Sequence, residues 1–324
     1  MATSLRTREG GPATGRSASR HDRGEGPFRF LTTGAGILLL AIMAAIAVFL
    51  VVKAIPALQQ NTSNFFTEKL WTPNGAEPRF GIAALAFGTL ISSLLALLMA
   101  LPVAVGVALF ISHYAPRRLA GVLGYLVDLL AAVPSVVYGL WGVIFLVPFM
   151  SGPATFLNTY FGWIPLFAGD AVYGRSILTA SVVLAIMILP IIAAISREVF
   201  LQAPGSLEEA SLALGATRWE MIRMSVLPFG RAGVVSAAML GLGRAMGETI
   251  AVALIFPATF EITLRVLSAN GNSIAANIAN GFGEATVTGR GALIASGLVL
   301  FVITLAVNMA ARLIVARRSF GGAA

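Results

Sequence analysis

Hydrophobic residues in this chain fall into long runs separated by short polar stretches, a rhythm that predicts helices crossing a bilayer. The first run, residues 30–56, is apolar for roughly 25 positions, enough at 1.5 Å per residue to cross a ~30 Å hydrocarbon core. A cleaved signal peptide would have a shorter apolar core followed by small residues, so this run predicts a retained helix. Five more spans are predicted near 81–112, 120–150, 174–200, 229–259 and 291–315. Pro102, Pro134 and Pro190 interrupt three of them, which neighbouring helices in a bundle can accommodate. Before the first span, residues 1–29 are rich in Gly, Ser and Arg and predict a disordered tail. Residues 57–80, with Phe65, Phe66 and Trp71, predict an interfacial segment outside the membrane. The core of five spans then occupies 81–318, and 319–324 is a short tail. The expected fold class is an all-α polytopic membrane protein with six transmembrane helices.

Composition supports this pattern. Only 11% of the 324 residues are charged, against roughly 25% in soluble domains. The net charge of +8 sits in tails and short loops, as membrane topology requires, and not in a nucleic-acid footprint. With the N-terminus inside, fifteen of the 22 Lys and Arg residues fall on the inner side and six on the outer, so both termini are expected in the cytoplasm. There is no cysteine, and the two histidines, His21 and His113, do not suggest a metal site. No inverted repeat is visible.

Between the fourth and fifth spans lies a polar hairpin, 204–228. Ser206 with Glu209, and Thr217 with Glu220, each have capping-box spacing and predict two helix starts. Gly215 stands where the first helix should stop, and Pro228 either closes the second or opens the next span. Leu207, Ala210 and Leu214 share one face of the first helix. That face suits either a docking partner in the cytoplasm or packing beneath the chain's own bundle.

The fifth span carries Arg244 about 15 residues from its start, roughly 22 Å in, at a cost on the order of 3 kcal/mol. Glu248, four residues later, is expected on the same helix face within pairing distance of Arg244. A structural ion pair is one reading of these residues. The other is an anion site on a transport path, where a guanidinium holds an oxyanion through paired donors. Gly243 and Gly247 predict close helix packing beside Arg244. Ser135 and Tyr138, near the break at Pro134, are candidates for lining a pathway, with core packing as the alternative. Asp128 is expected to pair with Arg117 or Arg118.

Glu209-Ala210-Ser211, Gly215 and Leu227-Pro228 resemble the EAA signature of ABC importer membrane subunits, with Ser211 in place of the second alanine. In that family the hairpin is a coupling helix seated in a groove of a separate ATPase. Phe80-Gly-Ile, Gly88-Thr89, Val133-Pro-Ser-Val-Val-Tyr-Gly139, Met187-Ile-Leu-Pro190 and Gly243-Arg-Ala-Met-Gly-Glu248 are similar to the phosphate-specific ABC importer permeases. Trp71-Thr-Pro73 before the second span is closer to their C-type subunit than to the A-type paralogue. The resemblance implies a type I permease fold in the bacterial cytoplasmic (inner) membrane. It implies a path shared with an A-type permease, two ATP-binding subunits, an extracytoplasmic phosphate-binding protein and phosphate as substrate. It places Arg244 and Glu248 on that path, and Glu209, Ala210, Gly215, Leu227 and Pro228 at the ATPase contact. The chain lacks the phosphate-binding G-x-x-x-x-G-K-[ST] loop, so ATP and Mg are expected on the partner, no cofactor on this chain, and no enzyme activity of its own. Another oxyanion as substrate, or an ion-coupled carrier with Glu248 as proton site, are the alternatives.

Overall fold

The computed structural model describes residues 25–168 and 174–319, with side chains over 28–168 and 174–313. The predicted tail before residue 25 and residues 320–324 lie outside that description. The chain divides into two units, one ending at Val48 and one starting at Phe49. In the first, helix α1 (Glu25–Gln60) begins inside the expected tail, and nearly all its side chains from Phe28 to Val48 are exposed. A helix apolar on every side has lipid or another apolar partner as its natural surroundings.

The second unit holds the end of α1 and everything after it. Strands β1 (Trp71–Thr72) and β2 (Arg79–Phe80) pair antiparallel, with Trp71 opposite Phe80. Phe65 and Trp71 pack edge-on against the buried Phe80 ring, at 6.1 and 5.7 Å between centroids. Asn61 holds Phe80 from both sides, donating to its carbonyl at 2.8 Å and accepting from its amide at 3.1 Å. The interfacial segment is therefore a small folded ribbon.

Helix α2 (Ala83–Leu109) runs into a π-helical turn, Phe110–Tyr114. Then come α3 (Arg117–Ala131), α4 (Ser135–Trp141), a second π turn (Gly142–Leu146), α5 (Val147–Phe161) and α6 (Ile177–Leu201). The hairpin contains α7 (Gly205–Ala213) and α8 (Arg218–Met221), and a third π turn, Ile222–Val226, leads into α9 (Leu227–Gly247). Short helices α10 (Ile250–Ile255) and α11 (Ile274–Gly281) precede α12 (Val287–Ser319). Helix α6 is the centre of the core: Ala180, Val183, Leu184, Ile188 and Ile192 are all buried, against α2 on one side and α9 on the other. In α2 the buried hydroxyls of Thr89, Ser92 and Ser93 bond carbonyls one turn back, which satisfies them in apolar surroundings.

Six helical stretches among the described residues are long and apolar enough to cross a membrane: 28–60, 83–114, 135–161, 177–201, 218–247 and 287–313. Two differ from expectation. The third begins at Ser135, not near 120, because Pro134 forces Val133 out of helical geometry and makes α3 a separate helix. The fifth ends at Gly247, where helix gives way to extended backbone at Glu248.

Candidate functional site

Depth along the bundle follows from glycine contacts between α9 and α6. Gly230 lies against Phe200, Gly233 against Val199, and Gly241 against Ile188 and Ile192. The two helices are therefore antiparallel. A Cβ at Gly241 would stand 2.8 Å from Ile192, so glycine is what lets the backbones approach. Arg244 is one turn beyond Gly241, which sets it beside the middle of α6. It occupies the last turn of α9, where the unsatisfied carbonyls at the helix end favour a cation. The residue is exposed at the surface of this chain and makes no ion pair among the described residues.

The expected Arg244–Glu248 pair is not formed. Because α9 stops at Gly247, Glu248 leaves the helical face that carries Arg244. Its carboxylate is buried, with the residue 8% exposed, and accepts the Ala251 amide at 3.3 Å. Glu248 thus satisfies one of the free amides that open α10. The break separates the two charges: Arg244 faces outward and Glu248 is turned into the next helix.

Helix α4 completes this region. Gly139 meets α10 so closely that a Cβ would stand 2.7 Å from the Ala251 Cα, and Tyr138 is within Coulombic range of Arg244. The Tyr138 hydroxyl donates to the Leu130 carbonyl at 3.0 Å and its ring packs on the main core. Ser135 is half-buried one turn earlier on α4. Tyr138 therefore belongs to the region of Arg244 and closes the gap that Pro134 opens, while Ser135 stands at the start of α4. Arg244 also lines an open groove of about 1300 Å³, built on one face of α9 with α12 opposite.

At the other end of α9 the hairpin takes shape. Thr217 accepts the Glu220 amide at 3.3 Å while the Glu220 carboxylate accepts the Thr217 amide at 2.8 Å, the expected capping box. Gly215 has φ +87°, a conformation that a side chain disfavours. The Ser206 cap is not formed. Pro204 occupies the N-cap and Ser206 lies inside α7, whose start has no side-chain cap. Pro228 opens α9 without breaking the helix, because the wide π turn before it takes up the bonding that proline cannot supply. Glu209 and Ala210 are exposed and no residue of α7 is buried, while Leu214 is 90% exposed. Packing beneath the chain's own bundle does not account for that surface. Leu227 is half-buried against a small cluster that includes Phe200 and Ile222.

Two contacts were not foreseen. His113, in the π turn after α2, places Nε2 3.4 Å from the Glu208 carboxylate of α7, with Nδ1 2.7 Å from the Ser112 hydroxyl. Ser211 and Ser225 share a hydrogen bond of 2.9 Å, joining α7 to the π turn before α9. The departure from alanine at 211 thus closes the hairpin. Asp128 pairs with Arg197 of α6 at 3.3 Å, not with Arg117 or Arg118, and Arg197 also reaches Glu198 at 2.7 Å. Arg117 and Arg118 stand at the start of α3, three turns from Asp128, which puts them out of reach.

The described residues thus form a helical bundle with an exposed cap-and-glycine hairpin and a span that breaks just after Arg244. The chain belongs to the family of binding-protein-dependent transport system inner membrane components, which matches residues 100–320. Among relatives, it is 48% identical over 299 residues to phosphate transport system permease protein PstC 2 of Mycobacterium tuberculosis, covering 90% of this chain and 92% of that one. It is 40% identical to the PstC permease of Xylella fastidiosa over 324 residues, 98% of each chain. The fold is similar to that of a bacterial ABC transporter importing the polysaccharide alginate, with a TM-score of 0.54, 20% identity and coverage of 88% and 96%. The inward-facing methionine ABC transporter MetNI gives 0.52 at 19% identity, over 71% of this chain and 92% of that one.

Proposed function

We propose that this chain is the membrane subunit of an ATP-driven phosphate importer, sharing its translocation path with an A-type permease. The observation that carries the reading is Arg244: a guanidinium at mid-depth, without an ion-pair partner among the described residues, opening on a groove. An unpaired arginine there costs on the order of 3 kcal/mol, which a structural role does not offset once Glu248 is engaged elsewhere. Paired donors on a planar, permanently charged fork suit a tetrahedral oxyanion. The similarity to phosphate permeases supports phosphate as that oxyanion.

In this reading the hairpin end of the bundle and both termini face the cytoplasm, which the distribution of basic residues supports. Glu209, Ala210 and the exposed Leu214 meet an ATPase subunit, present in two copies, that holds ATP and Mg. Gly215, Leu227 and Pro228 shape the connection from that contact to α9. A phosphate-binding protein delivers substrate at the opposite end, near the β1–β2 ribbon. An ion-coupled carrier would leave the α7 surface without a partner, and the Glu248 carboxylate already caps α10.

Uptake by the full reconstituted complex tests this. Arg244→Gln abolishes phosphate transport while the complex still assembles and hydrolyses ATP; uptake at the wild-type rate would refute the site. Equal competition by sulfate or molybdate would refute phosphate as the particular substrate.

A further inference from the structure

The groove that Arg244 lines extends well beyond it. Along α9 its lining recurs at Ala232, Ser236, Gly243 and Arg244, one helical face about 18 Å long. The facing wall is α12, which contributes Asn308 and Arg312. Among the described residues no carboxylate lines this volume. Arg312 is exposed and, like Arg244, has no ion-pair partner among the described residues.

Axial register fixes the order of the two arginines. Val307 of α12 shares a small apolar pocket with Leu242 and Met246 of α9, so position 307 lies at the depth of Arg244. Helix α12 starts beside the β1–β2 ribbon, where Gly291 meets Ala57, and runs toward the hairpin end. Five residues after Val307, Arg312 is about 7–8 Å nearer that end than Arg244. A single oxyanion leaving Arg244 toward the hairpin therefore passes Arg312 next, with Asn308 between as a neutral donor.

We propose that this groove is the hairpin-side exit path for the transported oxyanion, and that Arg312 is a second anion contact on it. The proposal rests on the reading of Arg244 as the mid-membrane oxyanion site. Two cationic stations at successive depths do what one cannot. The first draws the anion away from the opposite end, and the second, nearer the hairpin end, lowers the barrier to departure without holding it. The same guanidinium chemistry would also take the phosphate of an anionic lipid, and the experiment separates the two sources.

The chain has no cysteine, so Ser236→Cys gives a unique thiol in this subunit, and Met239→Cys a second reporter on the same wall. The full complex is placed in nanodiscs of neutral or anionic lipid, and labelling of this chain is followed by mass with an anionic and a cationic methanethiosulfonate of similar size. The expected result is labelling about fivefold or more faster by the anionic reagent, as a positive field in a narrow groove produces. Inorganic phosphate slows it, Arg312→Gln abolishes the preference and Arg312→Lys keeps it. Phosphate uptake falls by a similar factor in Arg312→Gln, with ATPase activity and affinity for the binding protein unchanged. An unaltered preference in Arg312→Gln would overturn the proposal. So would protection by anionic lipid in place of phosphate, or exclusion of both reagents from both reporters. If Arg244→Gln abolishes uptake and Arg312→Gln leaves uptake and labelling intact, only this proposal fails; if Arg244→Gln transports normally, the reading beneath it fails first.

Discussion

Arg244 and Glu248, four apart in sequence, serve different ends of one helix break. Spacing alone puts them on a common face, and nothing in Gly243-Arg-Ala-Met-Gly-Glu-Thr249 announces an interruption: there is no proline, and the apolar run resumes at Ile250. The break comes from tertiary packing, where Gly139 pulls α10 against α4 and Glu248 supplies the acceptor that α10 lacks. A substitution pair isolates that role. Glu248→Gln keeps an oxygen for the Ala251 amide, whereas Glu248→Ala removes it at a cost of about 1 kcal/mol. Thermal unfolding of the purified complex should therefore leave the Gln variant near wild type and lower the Ala variant. Equal loss in both would assign the role to the charge and not to the cap.

At the scale of elements, the hairpin was legible where its determinants are local. Thr217 and Glu220 are three residues apart and form the bonds their spacing implies, and Gly215 adopts the left-handed turn expected of it. What ties the hairpin down was not legible. His113 and Glu208 are 95 positions apart, and the π turns that present His113 and Ser225 have no simple sequence signature. Ser206 failed as a cap for a related reason: Pro204 and Gly205 already start α7, so the pattern is present but two residues too late. Gly215 offers the direct test. A side chain there meets open space, so the penalty is confined to the backbone, about 1–3 kcal/mol for a residue that resists positive φ. Gly215→Val should raise the ATP hydrolysed per phosphate transported in proteoliposomes, and Gly215→Asn, which tolerates that φ better, should lie between. An unchanged ratio in the Val variant would remove the turn from the coupling path.

Across the whole molecule, the six spans were legible because a bilayer-length apolar run is a strong signal, while their packing was not. Hydropathy carries on through Pro134 and so merges α3 with the span that follows. Conversely, the folded ribbon at the far end is invisible in hydropathy, yet it ties the end of the first span to the start of the last. Gln60 accepts from the Thr288 hydroxyl at 2.8 Å, and Asn74 accepts from the Thr286 hydroxyl at 3.0 Å. The ribbon is held by Glu68, whose carboxylate is kept below its ordinary range chiefly by the Leu70 amide, then by the Arg79 guanidinium and the Lys69 amide. A depressed acid stabilises the folded form above its unfolded pKa, about 4.3, and that contribution is lost as pH falls through the lower folded value. Hydrogen exchange at Lys69 and Leu70, corrected for intrinsic rates, should thus be protected at neutral pH and lose protection only below about pH 4. Loss already near pH 6 would point to another group. The unbroken helix from Arg218 to Gly247 has a further consequence. Between Arg218 and Arg244 it is a rod on the order of 40 Å long, and at Gly241 it is meshed with α6 too tightly to slide alone. A rotation of about 10° about the hairpin swings the far end of such a rod sideways by roughly 7 Å, wider than a phosphate ion. In the proposed importer, a small angular change at the hairpin is thus geometrically enough to carry Arg244 across the width of an anion in the groove.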